Sequence, residues 1–512
     1  MQNRTKKIRW QVLMFPWIII VAVLILNLLN YDIFLVVMNH IIAWILDNFA
    51  WMFNIISLAA LIIVLIAWLS PIHKIKIGGP DAKPIVEYRS YVWIVLCTIM
   101  GAGLMLWACA EPVIHINNPP ANITAGALSG DAILWAMENI FLEWTFTPMA
   151  IFALPALLFA FVFYNMKKKF SIGSMLSPIL KKDISEKGNC LIDSICLFCL
   201  CMGLASSLGS GVLLIVEGIV RVTNGVVSSN QSSWIVCSIV IIISFIVSAS
   251  SGIKKGIKYL STINSYFYLI IGIFIFLVGP TKYILNLCVE SFGVYLSDFF
   301  KISLWTSTAW EDNWSHQWPQ FYWCMWLTWM PLSGVFLGKI SKGYTVRQML
   351  NAVFIIPSLF SVTWMALFSG TSIYLELHGG EISKVMNEGG IASATYEVLQ
   401  NLPLSKLLIP VFLITAYLSY VTSADSNTNA MASLCTEGLK EDDTESPVVL
   451  KIFWGITIGA LCIIMLVAFN MDGMKMLANI GGFFSAFLMI FFMISIVKII
   501  KNPKKYGIYN KD

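Results

Sequence analysis

Residues 11–31 read QVLMFPWIIIVAVLILNLLNY. No acidic or basic side chain interrupts them, and a helix rising about 1.5 Å per residue would carry this run across roughly 30 Å of hydrocarbon. Similar runs recur at 46–70, 90–110, 135–165, 190–220, 234–251, 261–288, 319–338, 348–370, 407–425, 448–469 and 476–500. The pattern predicts an all-α membrane protein with twelve transmembrane helices, one transmembrane domain over 1–512. Composition agrees: 58% of the 512 residues are hydrophobic and 12% charged, where a soluble surface uses about 25% charge. The first run has a basic front, but it is longer than a secretory leader's apolar core. No small-residue cleavage site follows it, so it reads as a retained helix.

The net charge of +5 reports topology rather than a nucleic-acid partner. With both termini cytoplasmic, all Lys and Arg fall on the inner side except Arg221, Lys282, Lys301, Lys384, Lys406 and Lys475. That asymmetry is the positive-inside bias of a cell (inner) membrane protein. Most of the 11 cysteines lie inside apolar runs. Cys196, Cys199 and Cys201 lack a His or carboxylate at ligand spacing and read as small helix residues. His40, His73, His115, His316 and His378 are expected in loops or near helix ends, with no nucleophile or metal spacing, which argues against an enzyme.

Polar loops are expected near 111–134 and 371–405, and 441–447 reads as a solvated acidic loop. The stretch 289–318 is too polar to span and carries Trp305, Trp310, Trp314 and Trp318, which suits a helix lying at the interface. Two runs look interrupted: Met100-Gly101-Ala102-Gly103 in the third helix and Thr422-Ser423-Ala424-Asp425-Ser426-Asn427 ending the tenth. Broken helices near mid-membrane free backbone groups for ions and substrates. The glycines also suit close helix packing, and both readings stand.

Aromatic residues form the other constellations. In the eighth helix, Phe321-Tyr322-Trp323-Cys324-Met325-Trp326-Leu327-Thr328-Trp329-Met330-Pro331, the positions Tyr322, Trp326, Trp329 and Ser333 share one face. In the fourth, Trp144, Met149 and Phe152 span an arc of about 140°. Tryptophan faces attract a quaternary ammonium that has no hydrogens to donate; the same residues also serve as packing. The Thr422 and Ser423 hydroxyls suit a hard cation or a helix end. Asp425 and Glu217 are carboxylates at uncertain depth.

The third-helix segment running to Ala110-Glu111-Pro112, the eighth-helix run, and Gly338-Lys339-Ile340-Ser341-Lys342-Gly343-Tyr344-Thr345-Val346-Arg347 resemble the betaine/carnitine/choline transporter family. So do Gly79 to Pro84, Trp144-Thr145, Ala205-Ser206-Ser207-Leu208-Gly209 and Thr422 to Ser426. The resemblance implies two N-terminal helices, then a LeuT-like inverted repeat of 5+5 helices from about residue 90, and often a homotrimer. It places substrate at Trp144, Met149, Phe152, Trp323, Met325, Trp326 and Trp329, beside Gly101, Ala102 and Gly103. Sodium falls to Thr422 and Ser423 with backbone help from Cys97 and Met100.

Departures from the family pattern are Met149 and Met325, where Trp is usual, Phe152 for Tyr, and Leu332 for the Phe of a second sodium site. Choline-carrying relatives tend to have an acid at the position of Gly103, so glycine there resembles carriers of zwitterions. No basic residue stands in the apolar part of the fifth helix to replace sodium. The expected activity is sodium symport of a betaine- or carnitine-like zwitterion. Alternatives are a sodium-independent exchanger, a membrane-embedded enzyme and a channel. The short ends suggest uptake with little osmotic dependence.

Overall fold

The computed structural model describes residues 7–180, 184–251, 258–439 and 446–508. Arg4, Lys6, Lys181, Lys182, Lys254, Lys255, Lys440, Lys511, the acidic 441–445 and the side chains of Ala102 and Leu332 lie outside the described residues. Helices make up nearly everything described. Nine are long and apolar enough to cross a membrane, or ten if a bent pair is one span.

The chain opens with α1 (Trp10–Leu29) and α2 (Tyr31–Leu69), separated by Asn30, whose side chain caps α2 by accepting from the Ile33 N–H (3.1 Å). The second helix therefore starts at Tyr31, not 46. Asn39 and His40 weaken its apolar signal, yet the His40 ring simply pairs with the Val36 carbonyl one turn back (2.8 Å). Leu29 is 76% and Ile33 62% exposed, a surface that suits lipid rather than water.

Then α3 (Tyr88–Ile99) and α4 (Ala102–Asn117) meet at 52° across Met100 and Gly101. A second break, at Thr145 (φ −113°, ψ −110°), divides α5 (Gly130–Trp144) from α6 (Phe146–Ala160). Long rods follow: α7 (Glu186–Val222), α8 (Gln231–Ser251) and α9 (Lys258–Val278). Gly279-Pro280 ends α9 because proline removes a donor, so the run expected over 261–288 is two helices.

The next helix, α10 (Thr281–Ser303), buries Ile284, Leu287, Ser291 and Tyr295 and exposes Leu285, Val289, Leu296 and Phe300. It starts earlier than the helix expected over 289–318 and ends at Ser303, so only the first half of that stretch is helical rod. Beyond it, left-handed turns at Ser307 and Glu311 fold the tryptophans back. Trp314, in the single-turn α11 (Trp314–Gln317), and Trp318 are buried around His115, with ring centroids 4.9 and 4.4 Å away. His115 is thus a core residue of α4, and His40 lies inside α2 rather than near a helix end.

The central rod is α12 (Pro319–Ile340). A Cβ on Gly338 would lie 2.5 Å from the Ala156 carbonyl oxygen of α6, so these backbones approach as only glycine permits. After it come α13 (Val346–Leu350), α14 (Ile356–Leu377), α15 (Ile382–Gly389), α16 (Ser393–Gln400) and α17 (Ser405–Leu434). The polar loop expected over 371–405 is therefore mostly helix, and the one over 111–134 shrinks to 118–129.

Last is α18 (Val448–Lys501), interrupted at Asn470 (φ 52°, ψ −133°). A Cβ on Gly473 would lie 2.6 Å from the Met465 carbonyl oxygen, so the chain reverses there. Arg9 pairs with Asp193 (2.8 Å) and Tyr506 donates to the Pro178 carbonyl (3.2 Å), which puts both ends of the chain at one end of the bundle. Asn470 and the α1–α2 turn, joined by the Tyr31 hydroxyl to the Ala468 carbonyl (3.2 Å), mark the far end.

Candidate functional site

A cavity of about 60 Å³ lies where the α3–α4 break faces α5, α6, α7, α12, α17 and the returning rod of α18. Among its lining residues are Met100, Gly101, Gly103, Trp144, Phe152, Met325, Trp326, Trp329 and Ser423. The two breaks explain how it forms. Gly101 donates to the Ile99 carbonyl (3.1 Å) instead of continuing the helical ladder to Cys97, and Thr145 ends α5 just after Trp144.

Six rings line the space: Trp107, Trp144, Phe152, Phe321, Trp326 and Trp329. Trp144 and Trp326 meet edge to face with centroids 5.2 Å apart and planes at 90°, and Phe152 meets Trp326 at 5.9 Å and 82°. Edge-to-face contact leaves ring faces free for a cation. Each indole of the crossed pair is held by its N–H: Trp144 donates to a Glu111 carboxylate oxygen (3.0 Å) and Trp326 to the Glu143 carbonyl (2.8 Å). Tyr322 donates its hydroxyl to that same Glu111 oxygen. Glu111, expected at the start of a loop, is a fully buried residue of α4.

Not all expected residues join. Trp323 points away, donating to the Asn54 side chain of α2 (3.0 Å), and Met149 is packed in the core without lining the cavity. Their helix faces explain it: Trp323 precedes Trp326 by three residues but turns to α2, and Met149 sits three before Phe152. Ser333 donates to the Asn427 amide oxygen (2.8 Å). Asp425 is buried and accepts from Ser248 (2.5 Å). Glu217 pairs with Arg221 (3.1 Å), which also reaches Glu397 (3.3 Å) near the far end.

At the base of the break, Ser423 donates to the Thr98 carbonyl (3.0 Å) and Thr422 to the Leu418 and Ser419 carbonyls (2.8 and 3.2 Å). Only Ser423 thus reaches across to α3, while Thr422 stays within its own helix; both hydroxyls are oxygen donors of the kind a hard monovalent cation takes. The Cys97 thiol turns to the Ser261 carbonyl (3.4 Å). Sequence reasoning overlooked Ser206, Ser207, Ser210, Met471, Met474 and Lys475, which also line the cavity. Ser206 and Ser207 stood inside a quoted signature without a role, and Lys475 counted only as a loop charge.

Buried aromatic walls, two broken helices around one cavity and a lipid-suited exterior define a multi-pass membrane transporter. Residues 11–505 match the betaine/carnitine/choline family transporters, and the chain belongs to that family. It is 30% identical to an ectoine/hydroxyectoine transporter of Virgibacillus pantothenticus, over 91% of each chain. It is 32% identical to an ectoine/glycine betaine/proline transporter, EctP, of Corynebacterium glutamicum, covering 86% of this chain and 71% of that one. A solved Na⁺-coupled sialic acid symporter, captured substrate-bound and outward-open, has a similar fold with a TM-score of 0.50 and 13% identity, over 88% and 86% of the two chains.

Proposed function

We propose that this protein is a secondary active carrier of a small zwitterion of betaine or carnitine type, driven by sodium symport. One observation carries the reading: Trp144, Phe152, Trp326 and Trp329 line one cavity beside the unwound Met100-Gly101 backbone. Cation–π attraction in such a desolvated box is worth about 2 kcal/mol. The relatives' named ligands, ectoine, glycine betaine and proline, are compact and carry a carboxylate. The Thr422 and Ser423 hydroxyls, with the Cys97 and Met100 carbonyls, would hold sodium, whose charge would favour the anionic end of a neighbouring substrate.

The ten spans counted by composition, the returning rod of α18 and the 22-residue α12 add to twelve crossings. From α3 onward these form the 5+5 repeat. Arg9 and the basic residues at the end holding both termini support a cytoplasmic placement of that end in the inner membrane, and the assembly is a homotrimer, testable by cross-linking in membranes.

The deciding experiment is a panel of glycine betaine, carnitine, butyrobetaine, ectoine, choline and less methylated amines, read by tryptophan fluorescence, followed by uptake into proteoliposomes. Saturable uptake that needs sodium and is abolished in Trp326→Leu is the expected result. Exchange that persists unchanged without sodium would replace symport by antiport, and no response to any zwitterion would overturn the reading.

A further inference from the structure

Lys475 lies about one turn past the reversal at Asn470 and lines two spaces at once: the aromatic cavity and a far-end recess of about 850 Å³ bounded by Tyr31, Asn39, Gln231 and Asp472. Its ammonium sits 5.3 Å from the Trp318 ring centroid, 5.4 Å from Phe321 and 5.8 Å from Trp107. Among the described residues it makes no hydrogen bond and no ion pair. Asp472, exposed and three residues earlier, and the buried Glu111 are the carboxylates whose charge reaches it.

Lys475 is half-buried at the wall between the recess and the cavity, with no carboxylate within ion-pair distance among the described residues, whereas a structural lysine so placed is usually paired. Three ring faces hold the cation in place without cancelling its charge. All three donors of an ammonium remain available to an anion arriving from the recess. The cavity is thus lined with opposite preferences: π faces of Trp144, Phe152, Trp326 and Trp329 for a positive group, and a fixed ammonium at its far-end wall for a negative one.

We propose that Lys475 is the residue that selects the substrate's carboxylate, admitting zwitterions from the far-end recess and repelling cations that carry no anionic group. The proposal rests on the transport reading above and deepens it, because it assigns the anionic half of recognition to a side chain outside the quoted family signatures. A carboxylate would gain charge-assisted hydrogen bonds at Lys475. A bare quaternary cation would meet like charge in a partly dehydrated space, which is how specificity is built against a close analogue.

Glycine betaine and choline make a matched pair of probes, sharing the trimethylammonium and differing in the carboxylate. Calorimetric titration of the full-length protein in detergent is expected to show Lys475→Met weakening glycine betaine about tenfold or more while choline binds as well or better. Lys475→Arg, which keeps the charge, should hold the preference close to that of the wild type. A gain of choline binding cannot come from misfolding, and Lys475→Gln provides a second neutral variant should the Met protein be unstable. A glycine betaine to choline affinity ratio that the neutral variants leave unchanged overturns the proposal. Failure of the transport reading is seen separately: a wild-type protein that binds neither compound nor ectoine refutes it before any variant is made.

Discussion

Gly103 stands where a side chain would reach the aromatic cavity: a Cβ there would lie 3.7 Å from the far edge of Trp144 and 3.9 Å from Trp107. There is ordinary contact room for one methyl, and a longer acidic chain would enter the cavity itself. Gly103→Asp is therefore expected to shift preference from glycine betaine toward choline by about tenfold, since a buried carboxylate favours an uncompensated cation; competition assays in proteoliposomes measure the ratio, and an unchanged ratio would contradict the placement. At this scale the sequence was partly legible. Trp144, Phe152, Trp326 and Trp329 could be anticipated because indoles at helical spacing are costly to leave unused. Trp323, placed by the resemblance, and Met149, placed on an arc with Trp144 and Phe152, do not line the cavity, because neither a family position nor a shared face fixes which neighbour a side chain meets. Glu111 and Lys475 stayed hidden because a charge near a run's end looks like a loop residue until the helix is seen to continue past it.

Helices here are positioned by their interruptions and their closest approaches. The Met100-Gly101 break was readable from paired glycines, whereas the Thr145 break was marked only by Pro148, which sits in the first turn of α6 and has no N–H for the Trp144 carbonyl. Around α12 the packing is backbone on backbone: a Cβ on Gly482 of α18 would lie 2.3 Å from the Cys324 carbonyl oxygen, and Thr328 donates across the same seam to the Ala478 carbonyl (2.7 Å). Gly482→Ala must push the two rods apart, at a cost of about 2 kcal/mol by analogy with overpacked cores. Thermal unfolding followed by size-exclusion chromatography should show a lower midpoint. Gly293→Ala on α10, where a Cβ meets nothing within 4 Å, should leave it unchanged. Equal behaviour of the two variants would refute the seam's role. The split at Gly279-Pro280 was visible in the residues but was masked by the hydropathy on either side.

For the whole molecule, the proposed orientation can be tested from its two ends. Val226, 86% exposed in the turn between α7 and α8, belongs to the far end, and Lys504 to the end that holds both termini. All 11 cysteines are free, and only Cys190 and Cys288 are not fully buried. In a background lacking those two, a membrane-impermeant maleimide should label Val226→Cys on intact cells and Lys504→Cys only after permeabilisation. The reverse pattern would invert the topology. That the chain crosses a membrane many times was legible from apolar runs alone, because lipid imposes length and hydrophobicity on every span. How the runs join was not, as α10 shows by standing apart from α9.

Asn470 turns the chain back without a loop, at φ 52° and ψ −133°, a positive-φ conformation that side chains rarely adopt. A wall made this way has no slack of its own. Met471, Met474 and Lys475 hang from a backbone that is helical on both sides of one residue, so ligand traffic past them cannot rely on a fluttering flap. It must wait for entire rods to lean, a collective motion of the microsecond-to-millisecond class rather than the nanosecond one.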